Sequence, residues 1–544
     1  MMNGIRPDSI RIPPQLARIS DYVDWYAARQ PGVEAMVLGQ ERYDYARLQA
    51  RVDSIARALI AAGIGHGDRV ATLSTPHPDF WAIFLATASI GAIWVGLNPR
   101  YQLDEYRYII GDSGPALLFA RTRIDEREFA GDLRALMAEC SSLRRLVTLD
   151  EGLPVPAAET MQQFLQHGST VSRMTLDACR AGVVETDPAL IVYTSGTTGR
   201  PKGALLPHCG LTQCSRVQMR YWRADPVRVV NFLPINHIGC VGDLSAWCLV
   251  AGGCIVFMEK FDAAGSIGLT VSERCTVWGG VPTTILMTLS LPEFERHDLS
   301  ELQLIIWSGA AAPEELVRRL GRIVPRLSNS YGATETVGSV TFVEPTDDVD
   351  LLANSVGHPV PDYEFRLTDR DGRVVSVGEA GEICVRGKFI MRGYWHRPRE
   401  TAETIDADGW LHTGDLAVER PDGAIRLVGR LKEMFKSGGY NIYPREIEHV
   451  LEGCPGVAMA AVVPVPDPVF SEVGHAYVLR EPGAALDVDT LLATCRAQLA
   501  NYKVPKRLVI EDELPLLPIG KLDKVRLREA ARDALSSGPG TAAQ

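Results

Sequence analysis

Between about residues 20 and 430, apolar positions fall into two alternating patterns. Long stretches such as residues 45–62 repeat them every three or four residues, as one face of a helix requires, whereas residues 69–73 and 116–119 are short apolar runs of strand length. This alternation predicts parallel α/β layers. Between about 340 and 430 the runs become short and alternating and are broken by Asp371-Gly372, Asp408-Gly409 and Pro421-Asp422-Gly423, which predicts mainly antiparallel strands joined by tight turns. Beyond Leu427-Val428-Gly429-Arg430 the pattern predicts a helix near 444–451, a strand near 459–465, a helix near 488–499 and a strand near 507–510. The expected fold class is therefore α/β: a large N-terminal domain over 1–431, built from two doubly wound α/β layers plus a β-rich subdomain at about 340–430. A small α+β C-terminal domain over 432–544 follows it.

Three segments invite other readings. Residues 80–97 carry no charge over eighteen positions, about the minimum for a membrane span, but Gly91 and Gly96 interrupt the run and Asn98-Pro99 ends it. A buried helix over 80–90 running into a buried strand over 92–97 fits better. Gly111-Asp112-Ser113-Gly114-Pro115 resembles the nucleophile turn of trypsin-like proteases, but it lacks the second glycine, so it is read as a helix stop before a strand. The tail 536–541 is of low complexity and is expected to be disordered.

Composition narrows the class. The 544 residues suggest about three or four compact units. With 46% hydrophobic and 23% charged residues the chain should fold as a globular enzyme does. A net charge of −11 disfavours nucleic acid and anionic membranes as partners, and leaves room for a small anion in a local basic pocket. Eleven cysteines without a CxxC pair suggest reduced core thiols rather than zinc or disulfides. Arg6, Asp8 and Arg11 around Pro13-Pro14 leave no secretory signal, and Thr541-Ala542-Ala543-Gln544 is neither a peroxisomal address nor a prenylation box, so a cytoplasmic location is expected.

The chemistry starts after the apolar run Ala189-Leu190-Ile191-Val192. There the string Tyr193-Thr194-Ser195-Gly196-Thr197-Thr198-Gly199-Arg200-Pro201-Lys202-Gly203 gathers hydroxyls, glycines and a cation. Glycines let backbone N–H groups approach an oxyanion, hydroxyls add donors, and Lys202 supplies a movable charge, so this is a phosphate-holding loop. It is not a Walker A loop, because Pro201 separates Gly199 and Arg200 from Lys202. The string resembles the TSGTTGxPKG signature of the adenylate-forming superfamily: acyl-CoA synthetases, nonribosomal adenylation domains and beetle luciferases.

Further strings follow in that superfamily's order over about residues 20–530. Asn231-Phe232-Leu233-Pro234-Ile235-Asn236-His237 resembles the segment whose last residue walls the acyl pocket, and Ser308-Gly309-Ala310-Ala311 the loop lying against adenine. Asn329-Ser330-Tyr331-Gly332-Ala333-Thr334-Glu335 is similar to the YGxTE box. The resemblance implies that Tyr331 packs on adenine, Asn329 bonds its amine, Thr334 touches the α-phosphate, and Glu335 with Thr194 holds Mg²⁺. A flat ring suits a purine and carboxylate oxygen suits Mg²⁺. Gly409-Trp410-Leu411-His412-Thr413-Gly414-Asp415 resembles GWxxTGD, which gives Asp415 the ribose hydroxyls. Gly429-Arg430-Leu431-Lys432 resembles the hinge segment, with Arg430 reaching the ribose and Lys432 at the pivot. Residues 436–448, with Gly438-Gly439, match the GGxNIxPxEIE string that lines a pantetheine tunnel in CoA-using members, and Pro515-Leu516-Leu517-Pro518-Ile519-Gly520-Lys521 the closing PxxxxGK.

What the resemblance implies is an ATP- and Mg²⁺-dependent carboxylic acid:CoA ligase. Lys521, Thr194, Lys202, Glu335 and His237 would form its catalytic set. Ser195, Gly196, Thr197, Thr198, Gly199, Gly309, Ala310, Ala311, Asn329, Tyr331, Gly332, Thr334, Asp415, Arg430, Lys432, Gly438 and Gly439 would join Thr194, Lys202 and Lys521 in binding ATP and CoA. The expected partners are a small carboxylic acid, ATP and CoA, with a homodimer left open. In amino-acid-activating relatives an aspartate follows the position of His237, and here Ile238 stands there, which disfavours an α-amino acid. His237, Ile238, Trp307, Val337 and Gly338 are apolar or small and suggest a fatty, alicyclic or aromatic acid. Two other readings stay open: transfer to a carrier protein in trans or a luciferase-like oxygenation, and a catalytically silent ATP- or acyl-binding protein.

Overall fold

Strands apolar on both faces must be covered on both faces, and the chain answers this with two large sheets and helices around and between them. The computed structural model describes residues 12–536 except 151, 153, 195–199, 439 and 518–519. One sheet has nine strands. Its parallel centre runs Glu34–Leu38, Cys254–Phe257, Arg228–Asn231, Val277–Gly280, Leu304–Ser308 and Leu327–Ala333, and antiparallel strands close both edges. The second has seven strands, parallel except for the hairpin of Pro188–Thr194 with Lys202–Pro207.

The uncharged segment is where the two sheets meet. Residues Pro78–Ser89 form a helix and Ile93–Leu97 a strand of the seven-stranded sheet. Phe80 touches Trp94 of that sheet at a ring-centroid distance of 6.1 Å and Phe257 of the other at 5.6 Å, so the helix is apolar all round because it is covered on every side. No helix among the described residues is long and apolar enough to cross a membrane. The protease-like turn is a helix stop: Leu103–Ser113 ends at Gly114 in the left-handed conformation, and strand Leu117–Ala120 follows.

Strands Glu364–Thr368, Ala380–Arg386, Leu411–Glu419 and Ile425–Arg430 make an antiparallel four-stranded sheet. The next strand, Phe435–Ser437, already belongs to a separate five-stranded sheet with its own buried core of Ile447, Leu451, Val462 and Val478. Helices Pro444–Glu452 and Val488–Gln498 cover that sheet. One strand escapes the pattern reading. Ser471–Arg480 pairs antiparallel with Val457–Asp467 and parallel with Arg507–Glu511, and Glu472, Gly474 and His475 break its apolar run.

Candidate active site

Strand Pro188–Thr194 sets Thr194 opposite Lys202 on the returning strand, so the chain doubles back over the phosphate-loop string. Ser195, Gly196, Thr197, Thr198 and Gly199 lie outside the described residues, as does Gly439. At the loop's two ends the geometry converges on one carboxylate. Thr194 Oγ1 donates to Glu335 Oε1 at 3.4 Å, and the Tyr394 hydroxyl donates to the same oxygen at 2.8 Å. Lys202 Nζ stands 4.7 Å from the centre of the Tyr394 ring, within cation–π reach. Tyr394 was not singled out from the sequence, since a lone tyrosine outside the motifs gives no signal.

A second cluster joins three distant motifs. Tyr331, in strand Leu327–Ala333, donates its hydroxyl to Asp415 Oδ2 at 2.7 Å, and Arg430 Nε meets Asp415 Oδ1 at 2.6 Å. Strands Leu411–Glu419 and Ile425–Arg430 pair with Asp415 directly across from Arg430, so the sheet register itself sets this ion pair. Asp415 is buried, while half of the Arg430 side chain stays accessible. Asn329 Nδ2 donates to the carbonyls of Leu352 and Ser355 at 2.7 and 3.0 Å, whereas Asn329 Oδ1 is buried without a partner. Gly332 has a backbone reason of its own, because a Cβ there would lie 2.1 Å from the carbonyl oxygen of Gly338 on the paired strand. Thr334 is buried nearby, and Ala310 and Ala311 are exposed beside Gly309.

The C-terminal part reaches into this cluster. A Cβ on Gly309 would lie 2.9 Å from Lys521 Cε and 3.3 Å from its Nζ. Gly520 rests on Val281 and Thr284 at the start of helix Pro282–Leu289. Burial lowers the pKa of the Lys521 ammonium, and the neighbouring Arg430 lowers it further, while Asp415 and Glu433 oppose that shift. Burial and then the charge of Lys521 hold the His237 imidazole near 3, so it is neutral at ordinary pH. Its Nδ1 accepts from the Gly239 N–H at 3.0 Å. Lys432 and Gly438 are exposed, and Gly438 packs beside Phe470 rather than beside Lys521. Lys521 and Gly438 therefore do not meet in this arrangement.

The apolar side departs from the sequence reading in one place. Trp307 is fully buried in the outer core with Ile285, Leu316 and Leu320, while its neighbour Ile306 faces the opposite core. Strand alternation sends Trp307 away from the interior that holds Ile238 and Val337, so it lines no pocket with them. Asp243 was missed altogether. It is the single charged residue of 238–257, and that isolation was the available signal.

Residues 23–395 match the AMP-binding enzyme family, and residues 446–521 match the AMP-binding enzyme C-terminal domain. The chain is 36% identical to a feruloyl-CoA synthase of Amycolatopsis over 92% of its own length and 96% of that protein's. It is 34% identical to the indoleacetate–CoA ligase of Aromatoleum aromaticum, over 94% and 98% of the two chains. Among solved structures, ATP-bound MatB from Rhodopseudomonas palustris superposes with a TM-score of 0.79 at 30% identity, covering 95% of this chain and 99% of that one. Matches over both parts, with the strings described above in order, make this chain a member of the AMP-binding enzyme family, within the adenylate-forming superfamily.

Proposed function

We propose that the protein is an ATP-dependent carboxylic acid:CoA ligase acting on an apolar, aromatic or alicyclic acid. The observation that carries this reading is the position of Lys521, brought by the C-terminal part against Gly309 and close to the Tyr331–Asp415–Arg430 cluster and His237. Relatives named for feruloyl and indoleacetate thioesters support the same activity and favour an aromatic acid.

In the first half-reaction a carboxylate oxygen attacks the α-phosphorus of ATP, and pyrophosphate leaves. Two anions must approach, so cations have to offset the developing charge, and Lys521 and Lys202 are the side chains assigned to that task. Asp415 would accept from the ribose; Tyr331 and two nitrogens of Arg430 already donate to it, and a carboxylate has about four lone-pair sites. The free Asn329 Oδ1 would accept from the adenine amine. The donor set at Thr194 and Glu335 is oxygen only and adjoins the phosphate loop, which fits Mg²⁺. When bound there, the ion neutralises phosphate charge.

In the second half-reaction the CoA sulfur attacks the acyl carbon, its proton goes to solvent, and AMP leaves. Lys521 fills the approach used here, so the C-terminal domain, 432–544, would turn about Lys432 to exchange Lys521 for the Gly438 loop. The exposed Tyr440 and Phe470 beside that loop offer an apolar approach for pantetheine. Eleven free cysteines fit a reducing, cytoplasmic setting.

The test is incubation with ATP, Mg²⁺, CoA and a panel of carboxylic acids, followed by mass spectrometry. The expected products are AMP, pyrophosphate and an acyl-CoA. Acyl adenylate that accumulates without thioester, or no turnover of any acid, would overturn the reading.

A further inference from the structure

His237, which the ligase reading sets at the carboxylate end of the acyl site, lies within electrostatic reach of Lys521. From His237 the chain runs into a π-helix, Gly239–Ala246, and Asp243 sits on it more than one turn further on. That helix packs against helix His208–Tyr221 and strand Gly338–Phe342. Gln218 Nε2 donates to Asp243 Oδ1 at 3.0 Å. A Cβ on Gly338 would lie 3.1 Å from the same oxygen and 2.5 Å from Cys214 Sγ, so the carboxylate reaches the strand that directly follows Glu335, and only a residue without a side chain leaves it room.

Asp243 is half-buried, and among the described residues its second oxygen, Oδ2, accepts no hydrogen bond and no Lys, Arg or His forms an ion pair with the carboxylate. Gln218 Oε1 is buried without a partner as well. The surroundings are apolar: Ile238, Val337 and Cys214 are all buried there. Burial pushes the Asp243 carboxyl up to about 7. The Gln218 amide oxygen held away from water, and the ionised Asp243 carboxylate in largely desolvated surroundings, are costly unless a donor reaches them, and a pure hydrocarbon tail would leave both unpaired.

We infer that Asp243 makes this enzyme selective for acids that carry a hydrogen-bond donor, a hydroxyl or an N–H, at the end remote from the carboxylate. The inference rests on the ligase reading above and names its substrate class. A site that hydrogen-bonds a substrate group rejects the analogue lacking it far more strongly than an apolar pocket rejects a missing methylene.

The experiment compares kcat/KM for acids matched in pairs: hydroxyphenyl with phenyl alkanoic acids, indole with N-methylindole alkanoic acids, and hydroxylated with plain alicyclic acids. The wild type should favour the donor-bearing member of at least one pair by about 10²-fold or more. Asp243→Leu should erase that preference through loss on the donor acid, with the plain acid held or improved. The hydroxyl and indole arms tell the two donor types apart. Asp243→Asn keeps the shape and an acceptor for Gln218, so it should retain part of the preference if the leucine variant does not fold. A wild type that favours the plain acid in every pair, or a preference that survives in Asp243→Leu, overturns the inference and leaves the ligase reading standing. No acyl-CoA from any acid overturns both.

Discussion

Asp243 is largely desolvated in the folded chain and would be hydrated in the unfolded one, and this difference has a defined pH signature. Its folded pKa of about 7 lies above the unfolded carboxylate value of about 3.9, so between the two the native state holds the extra proton. Its contribution to stability is complete below about pH 4 and is lost as pH rises toward 7. Asp243→Asn never ionises. Urea unfolding at pH 5 and pH 8 should therefore show the variant gaining on the wild type at the higher pH, by an amount on the order of a few kcal/mol. Parallel pH profiles would show that the carboxyl ionises in the native state as freely as in water. Ligand should narrow the gap if a donor from the substrate satisfies the same oxygen.

At the scale of the element, the proposed role of Gly438, between strands Phe435–Ser437 and Tyr440–Ile442, would separate the two half-reactions. Gly438 has φ +55 and is exposed, and a Cβ there would lie 3.2 Å from the Phe470 ring, away from the residues around Asp415. Gly438→Leu should thus keep carboxylate-dependent exchange of pyrophosphate into ATP and lose thioester formation by steric obstruction. A left-handed backbone costs a non-glycine residue about 1–2 kcal/mol, so a melting curve must accompany the assay. If the variant is as stable as the parent and forms thioester at full rate, CoA takes another route.

At the scale of the molecule, Lys521 belongs to the turn after strand Arg507–Glu511 yet lies against Gly309 of the large domain, so an adenylation site that uses Lys521, as proposed, would be complete only while the two parts are docked this way. Lys521→Ala should slow acyl-adenylate formation by about 10²-fold or more, as loss of an oxyanion donor does. Supplied with pre-made acyl adenylate, the variant should still make acyl-CoA, because that step would be catalysed after the lysine has left. Equal loss of both steps with an unchanged melting curve would place Lys521 in a structural role.

Much of the fold was legible because hydrophobic periodicity reports burial directly. Residues 45–62 and 69–73 became helix Tyr45–Ala61 and strand Arg69–Leu73, and the uncharged run became a helix and a strand rather than a span. Ser471–Arg480 was not legible, since its pairing partners supply the burial that its own polar residues conceal. For the candidate site, Thr194, Lys202, Glu335, Asp415 and Lys521 were named from ordered local strings through their resemblance to the superfamily's motifs. Which of them meet is a property of register and docking: Asp415 faces Arg430 through strand pairing, and Lys521 reaches Gly309 across the domain junction. Trp307 and Asp243 mark the limit most clearly. A strand's two faces look alike in a buried apolar run, so only the packed helices decided that Trp307 points outward. Asp243 stood out by charge alone, and only the approach of Gln218 and Gly338 from distant parts of the chain gave that charge the surroundings on which the inferred role rests.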